Sequence, residues 1–258
     1  MKIVEITDWH VWGPRVAALE RGVSYPLGAD RFEIDHGPDY SAFFRRLGEL
    51  HYVAAIDGER VAAVAAGAIR SLPGGRAWYL GDLKVHPDYR GRRLAWAMVR
   101  WGFPRHYWRC RRGYAITMDP PDRPNRVVRL SSHFWLIRNG VAARLLFWSL
   151  DRDAARAVSP VVRRHRGPLT WRSLAGIKDL VLASTGRPMP LLHAQFGPCA
   201  EHGQDAPDAG ATHMLCAPDG DALAAAMAAE GLAPSATATL LAHRMPRTDW
   251  SFVLTSDI

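Results

Sequence analysis

Two apolar, β-branched runs, His51 to Ile56 and Arg60 to Ile69, are joined by Asp57-Gly58, a dipeptide that supplies the positive φ angles of a tight hairpin. After Pro73-Gly74-Gly75 a third strand reads from Ala77 to Val85, which makes an antiparallel meander. The period then changes. Leu94, Met98 and Trp101, with Ala97 beside them, fall on one face of a helix that begins just after Gly91 and ends at Gly102 and Pro104.

The flanking segments extend this pattern. Lys2 to Ile6 reads as a short strand, and Trp9 to Pro38 as loop with a helix around Val16 to Arg21. Tyr40 to Leu47 reads as a helix, Gly113 to Met118 as a strand, Arg126 to Ile137 as a helix with Val127, Leu130, Phe134 and Ile137 on one face, and Ala142 to Leu150 as a strand. The order is that of an α+β fold whose strand–helix–strand units allow a mixed central sheet flanked by helices. From Asp151 the texture changes. Arg152 to Arg166 reads as a basic linker, Leu174 to Ala183 as a helix, Leu191 to Phe196 as a strand, and Gly197 to Gly210 as a polar loop. Thr212 to Cys216 reads as a strand, a helix capped by Asp219 or Asp221 runs to Glu230 and is stopped by Gly231, and Thr237 to His243 and Trp250 to Leu254 read as strands. A domain over 1–150 and a C-terminal α/β region over 151–258 are therefore expected.

With 258 residues, 48% hydrophobic and 22% charged, the chain has ordinary globular usage, and disorder throughout is excluded. The formal net charge of +8, from 33 Lys plus Arg against 25 Asp plus Glu, favours anionic partners without identifying them. The three cysteines, Cys110, Cys199 and Cys216, form no CxxC pair and describe no disulfide framework. Acids stand near the start where a signal peptide would be apolar, and no stretch approaches the roughly 20 apolar residues of a membrane span. A cytoplasmic protein without a membrane partner is expected.

A strand that ends in a turn and opens a helix leaves backbone N–H groups unpaired where the helix dipole is positive, which makes an anion site. Here Leu83-Lys84-Val85-His86 ends the strand, Pro87 stops it, and Arg90-Gly91-Arg92-Arg93 brings a glycine and three guanidinium groups to the helix start. The segment Val85-His86-Pro87-Asp88-Tyr89-Arg90-Gly91-Arg92-Arg93-Leu94-Ala95 resembles the acetyl-CoA motif of the GNAT superfamily of acyl-CoA-dependent N-acyltransferases, Arg/Gln-x-x-Gly-x-Gly/Ala preceded by Val-x-Pro. Arg90 and Ala95 match its first and last positions. Arg93 stands where the family has its middle glycine, where a negative φ would still let the amide donate. The resemblance covers the motif well and the element order from Lys2 to Leu150 loosely.

That resemblance implies an N-acetyltransferase with acetyl-CoA as co-substrate. The pyrophosphate would lie on Arg90, Gly91, Arg92, Arg93, Leu94 and Ala95, and the pantetheine arm on the amides of Leu83, Lys84 and Val85, on a strand that splays from its neighbour. It also implies a loop asparagine, here Asn125, seven residues before a tyrosine that serves as general acid. Position 132 is Ser132, a poorer proton donor than a phenol, so that role would pass to water or His133. Asp82 is the nearest acid able to act as general base. Strand alternation sets Asp82 and Lys84 opposite Leu83 and Val85, so an ion-paired surface acid is the alternative.

Other readings remain. The pairs Cys199-x-x-His202 and His213-x-x-Cys216 suit zinc by type, but strand residues three apart face opposite ways, and no metal site is expected. Arg100, Arg105, Arg109, Arg111 and Arg112 interleave with Trp101, Tyr107 and Trp108 as in a nucleic-acid surface. The same stretch spans a helix end where the dipole favours cations, so nucleic acid is not the expected partner. A catalytically degenerate CoA-binding or nucleic-acid-binding protein is the alternative to the enzyme. The C-terminal region repeats strand, helix and strand without the Arg-x-x-Gly loop, as a degenerate GNAT-like half would, and leaves a homodimer contact open. The acceptor, a small-molecule or peptide amine, is not legible; Trp9, Trp12, Tyr25 and Phe32 suit either its pocket or the core.

Overall fold

The computed structural model describes residues 1–21, 23–27, 30–120, 122–131, 133–134 and 137–258. In chain order its elements are β1 (Lys2–Glu5), α1 (Trp9–Glu20), β2 (Ser24–Leu27), β3 (Asp30–Asp35), α2 (Ala42–Leu47), β4 (Glu49–Asp57), β5 (Arg60–Leu72), β6 (Gly75–Val85), α3 (Leu94–His106) and β7 (Gly113–Met118). There follow α4 (Arg126–Ser131), β8 (Gly140–Leu150), α5 (Arg152–Arg166), β9 (Leu169–Arg172), β10 (Asp179–Leu182), β11 (Leu191–Phe196), β12 (Thr212–Pro218), α6 (Ala222–Ala229) and β13 (Ala236–His243). This is a mixed α/β architecture of sheets flanked by helices. The chain divides into two compact units, one of Met1–Ala115, Gly176–Pro188 and Ala242–Met245, the other of Ile116–Ala175, Met189–Leu241 and Pro246–Ile258.

In the first unit β1, β4, β5 and β6 pair antiparallel in that order, and β6 meets β7 in parallel. Asp57-Gly58 turns β4 into β5 as its composition predicts, with Gly58 at φ 61°. Val53, Ala55, Ala62 and Ala63 of the sheet bury Leu94 and Met98 of α3. A three-stranded sheet, β2-β3-β10, also belongs to this unit. The second unit runs β13-β8-β12-β11-β9, with β8–β12 and β9–β11 antiparallel and β11–β12 parallel. Its core joins Trp148, Trp171 and Leu215 to Val158 of α5 and Leu223 and Met227 of α6.

Several sequence expectations are corrected: α3 runs through Gly102 and Pro104 to His106, and α4 ends at Ser131 and not at Ile137. Arg152 to Arg166 is a helix and not a linker: Asp151 caps it by accepting from the Ala154 amide at 2.8 Å, and Ala155, Val158, Ser159 and Val162 make the buried stripe. The helix expected over Leu174 to Ala183 is replaced by β10, whose Asp179–Leu182 pairs with Phe32–Asp35 of β3. Within Trp9 to Pro38, α1 is longer than expected and is followed by β2 and β3. Trp250 to Leu254 is a turn, with the Val253 amide on Trp250 O at 3.2 Å, that buries Trp250, Val253 and Leu254 without forming a strand.

Candidate active site

The site begins where β6 runs past the end of its pairing with β7. The β6–β7 register covers Trp78↔Gly113, Tyr79↔Tyr114 and Leu80↔Ala115, while β6 itself continues to Val85. Its β5 register shifts between Val64 and Ala66, opposite Lys84 and Gly81, and Asp82 sits in this bulge with φ 54°. A bulge re-aims the side chains it carries. Leu83 is left exposed, while Asp82 and Lys84 turn into the protein with side chains only 3% and 9% exposed. Asp82 is therefore ion-paired, but it is not a surface acid.

Beyond Val85 the chain makes a 3-10 turn over Pro87–Tyr89, in which His86 Nδ1 accepts from the Asp88 amide at 3.2 Å. Tyr89 anchors the turn: its hydroxyl donates to Asp57 Oδ2 at 2.9 Å, and the Arg92 guanidinium lies 5.0 Å from its ring centroid. Gly91 follows with φ 79° and open space where a Cβ would stand. Arg93 takes φ 55° and ψ 31°, left-handed, contrary to the negative φ considered for it. The position calls for glycine, and an L-residue there costs about 1–2 kcal/mol. Arg90, Gly91, Arg92 and Arg93 are all exposed. α3 has no side-chain cap, and its first intrahelical bond runs from the Ala97 amide to Arg93 O at 3.0 Å. The Leu94 and Ala95 amides therefore precede the helical ladder, at the positive end of a 13-residue helix.

Behind β6 lies a buried polar cluster. Lys84 Nζ pairs with both Glu20 Oε2 of α1 and Asp82 Oδ1. Tyr52 donates to Asp82 Oδ2, and the Tyr40 hydroxyl lies 2.8 Å from Glu20 Oε2 and 3.0 Å from Asp82 Oδ2. Glu20 is 2% exposed, and burial raises its pKa above 4.5 despite the Lys84 ammonium. Burial would lower Lys84, yet the Asp82 and Glu20 carboxylates outweigh it and raise its pKa above 10.5. Burial and then the Asp82 charge push Tyr40 and Tyr52 far up, so both phenols stay protonated. Burial and repulsion from Lys84 bring Lys178 down to about 8, and burial brings His36 down to about 4. Tyr25 is pushed up to about 12, chiefly by burial. Trp9, half-buried, stacks on Tyr40 and meets Tyr52 edge-on.

The remaining expected residues lie in the second unit. Asn125 caps α4: its Oδ1 accepts from the Val127 and Val128 amides at 3.1 and 3.4 Å, and its Nδ2 donates to Asp119 Oδ1 at 3.0 Å. His133 is exposed, with Nδ1 2.7 Å from Arg129 O. Ser132 lies outside the described residues. His213 Nε2 accepts from the Asp208 amide, whereas Cys216 Sγ faces Val253 O. In the first unit the basic stretch folds back on the protein: Arg105 covers Trp101, Arg111 covers Trp108, and Arg112 donates to Gly74 O.

Sequence reasoning missed Glu20, Tyr40, Tyr52, His36 and Lys178. One signal was present, an acid at Glu20 within the apolar stripe Val16, Leu19, Glu20 of α1, all three buried.

No curated protein matches the sequence. Among solved structures the chain is similar to the protein smu.2055 of Streptococcus mutans, with 15% identity, 57% of this chain and 87% of that one covered, and a TM-score of 0.42. It is similar to a Trypanosoma brucei acetyltransferase, with 15% identity, 52% and 90% covered and a TM-score of 0.37. It is also similar to the aminoglycoside 6′-N-acetyltransferase of Enterococcus faecium, with 20% identity, 47% and 64% covered and a TM-score of 0.34. The family model described as Acetyltransferase (GNAT) family matches residues 17–125, a span that takes in both the Glu20–Asp82–Lys84 cluster and the Arg90–Arg93 turn. Over those residues the chain is similar to the GNAT acetyltransferases that the model describes.

Proposed function

We propose that the chain transfers an acetyl group from acetyl-CoA to an amine of a small molecule or peptide. The observation that carries this reading is the exposed Arg90-Gly91-Arg92-Arg93 turn at the uncapped N-terminus of α3, entered from a bulged strand that bears buried acids. Arg90, Arg92 and Arg93, with the amides of Gly91, Leu94 and Ala95, hold the pyrophosphate by charge-assisted hydrogen bonds. Backbone groups of Leu83, Lys84 and Val85, at the end of β6 beyond its β7 register, take the pantetheine arm.

Acyl transfer needs an unprotonated amine. Its nitrogen attacks the thioester carbonyl, the C–N bond forms, the C–S bond breaks, and the amine proton must leave. Asp82, aimed inward by the bulge, receives that proton directly or through water. Glu20, whose pKa burial raises, and Asp82 flank the Lys84 ammonium behind the strand.

The test is thermal unfolding with and without CoA. A ligand that binds the native state 100-fold above its Kd stabilises by about 2.7 kcal/mol, which raises the Tm. The variant R90E/R92E is expected to lose that rise and to unfold like the parent without ligand, since both side chains are exposed. No rise at millimolar CoA refutes the reading.

A further inference from the structure

We propose that Glu5, His51 and His106 form a binding site for one divalent transition-metal ion, zinc by the nature of its donors. The three side chains come from β1, from β4 and from the last residue of α3, and their ligand atoms all lie within 4.8 Å of one another. His51 Nδ1 is 2.5 Å from Glu5 Oε1, and His106 Nε2 is 3.7 Å from Glu5 Oε2. The imidazole rings are 4.8 Å apart between centroids.

Two observations set this group apart from an ordinary ion pair. Both ring nitrogens of His106 are buried without a hydrogen-bond partner, although buried polar atoms are nearly always partnered. The other nitrogen of His51, Nε2, lies 3.3 Å from Glu49 Oε1, so a carboxylate stands behind the ligand as it does behind metal-bound histidines. Arg109 approaches the same nitrogen at 3.0 Å, but its charge is matched by Glu49 at 2.5 Å. Trp78 packs edge-on against His51 and His106, and holds the rings.

Two imidazoles and one carboxylate suit zinc, which takes three protein ligands at about 2.0–2.2 Å and leaves a fourth position open. A common ion would draw together three donors that already lie within 4.8 Å of one another. Glu5 is 30% exposed at the side chain and gives the ion a way in. α3 has 13 residues, so His106 is about 18 Å from the helix start, and the site is separate from the Arg90–Arg93 turn. A bound ion ties the end of α3 to β1 and β4.

The experiment titrates the metal-free full chain with Zn(II) against a chromophoric chelator, with Co(II) as a spectroscopic substitute. One zinc equivalent is expected, together with a visible Co(II) band of tetrahedral intensity. H51A/H106A is expected to lose both. E5Q and H106Q, conservative changes that guard against misfolding, are expected to weaken zinc binding at least 10-fold with an unchanged far-UV spectrum. R90E, outside the cluster, is expected to keep the full equivalent. Absence of a zinc equivalent in the parent chain, or unchanged affinity in both E5Q and H106Q, overturns the proposal.

Discussion

Removing the Lys84 ammonium while leaving its two carboxylate partners is the most direct test of the buried cluster. Glu20, Asp82 and Lys84 have side chains 2%, 3% and 9% exposed, so water cannot take over the role of the lost cation. Breaking a buried ion pair from one side costs about 3–5 kcal/mol, and a domain has only about 5–15 kcal/mol in total. K84M is expected to fall in that range. The triple variant K84M/E20Q/D82N removes the charges together. Its amide oxygens still accept from Tyr40 and Tyr52, and Asn tolerates the φ of 54° at position 82 as well as Asp does. Most of the loss is therefore expected to return. The assay is urea unfolding at pH 7 followed by tryptophan fluorescence, where 3–5 kcal/mol moves the midpoint by roughly 1–3 M. Because the folded pKa of Lys84 lies above its ordinary 10.5, its contribution is full below pH 10.5 and is lost as pH rises through the folded value. The K84M deficit should narrow in that alkaline range. A loss under about 1 kcal/mol, or a triple variant as unstable as K84M, would refute the argument that these charges depend on one another.

Three further outcomes are expected. His36 is lowered from 6.5 to about 4 by burial, so its stability contribution is present above pH 6.5 and is lost as pH falls through about 4, by about 3 kcal/mol in all. H36F, which can stack on Tyr40, Phe43 and Phe44, should flatten the acid limb of the Tm-against-pH curve; parallel curves would count against it. R93G should be about 1 kcal/mol more stable than R93A, because only glycine is at ease at φ 55°, and equal midpoints in urea would disprove the strain. D82N should lower acetyl transfer by the 10²–10⁴-fold typical of a lost general base while CoA still raises the Tm, and an unchanged rate removes Asp82 from that role.

What could be read in advance divides along the range of the interactions involved. Asp57-Gly58 and the switch of period after Gly91 act over a few residues, and the meander and the start of α3 stand where they place them, while α3 runs on through Gly102 and Pro104 to His106. The stripe of α5 was hidden because Arg152, Arg156, Arg163, Arg164 and Arg166 crowd the same helix; the apolar positions between them carry the burial. β10 exists because β3 offers an edge at Phe32–Asp35, a partner far away in the chain that no local propensity reports. The polar cluster has the same origin: α1, β4 and β6 each supply part of it, and no one segment shows an acid, a lysine and two phenols together. Even Asp82, singled out from its position, faces inward only through a bulge that its own strand does not announce.

Arg93 joins the two scales. The pattern resembled calls for glycine there, and the backbone of this chain keeps the left-handed turn that glycine would adopt, at φ 55°. The substitution therefore preserved the conformation and changed the charge. Strain of about 1–2 kcal/mol is offset if a third guanidinium beside Arg90 and Arg92 gains even one charge-assisted bond to a phosphate, each worth about 1.5–3 kcal/mol. On that balance the free protein is slightly less stable than a glycine variant and the CoA complex slightly more so, and the crossing of the two orders, measured as Tm with and without CoA for R93G, separates a turn built for an anion from one that merely tolerates arginine.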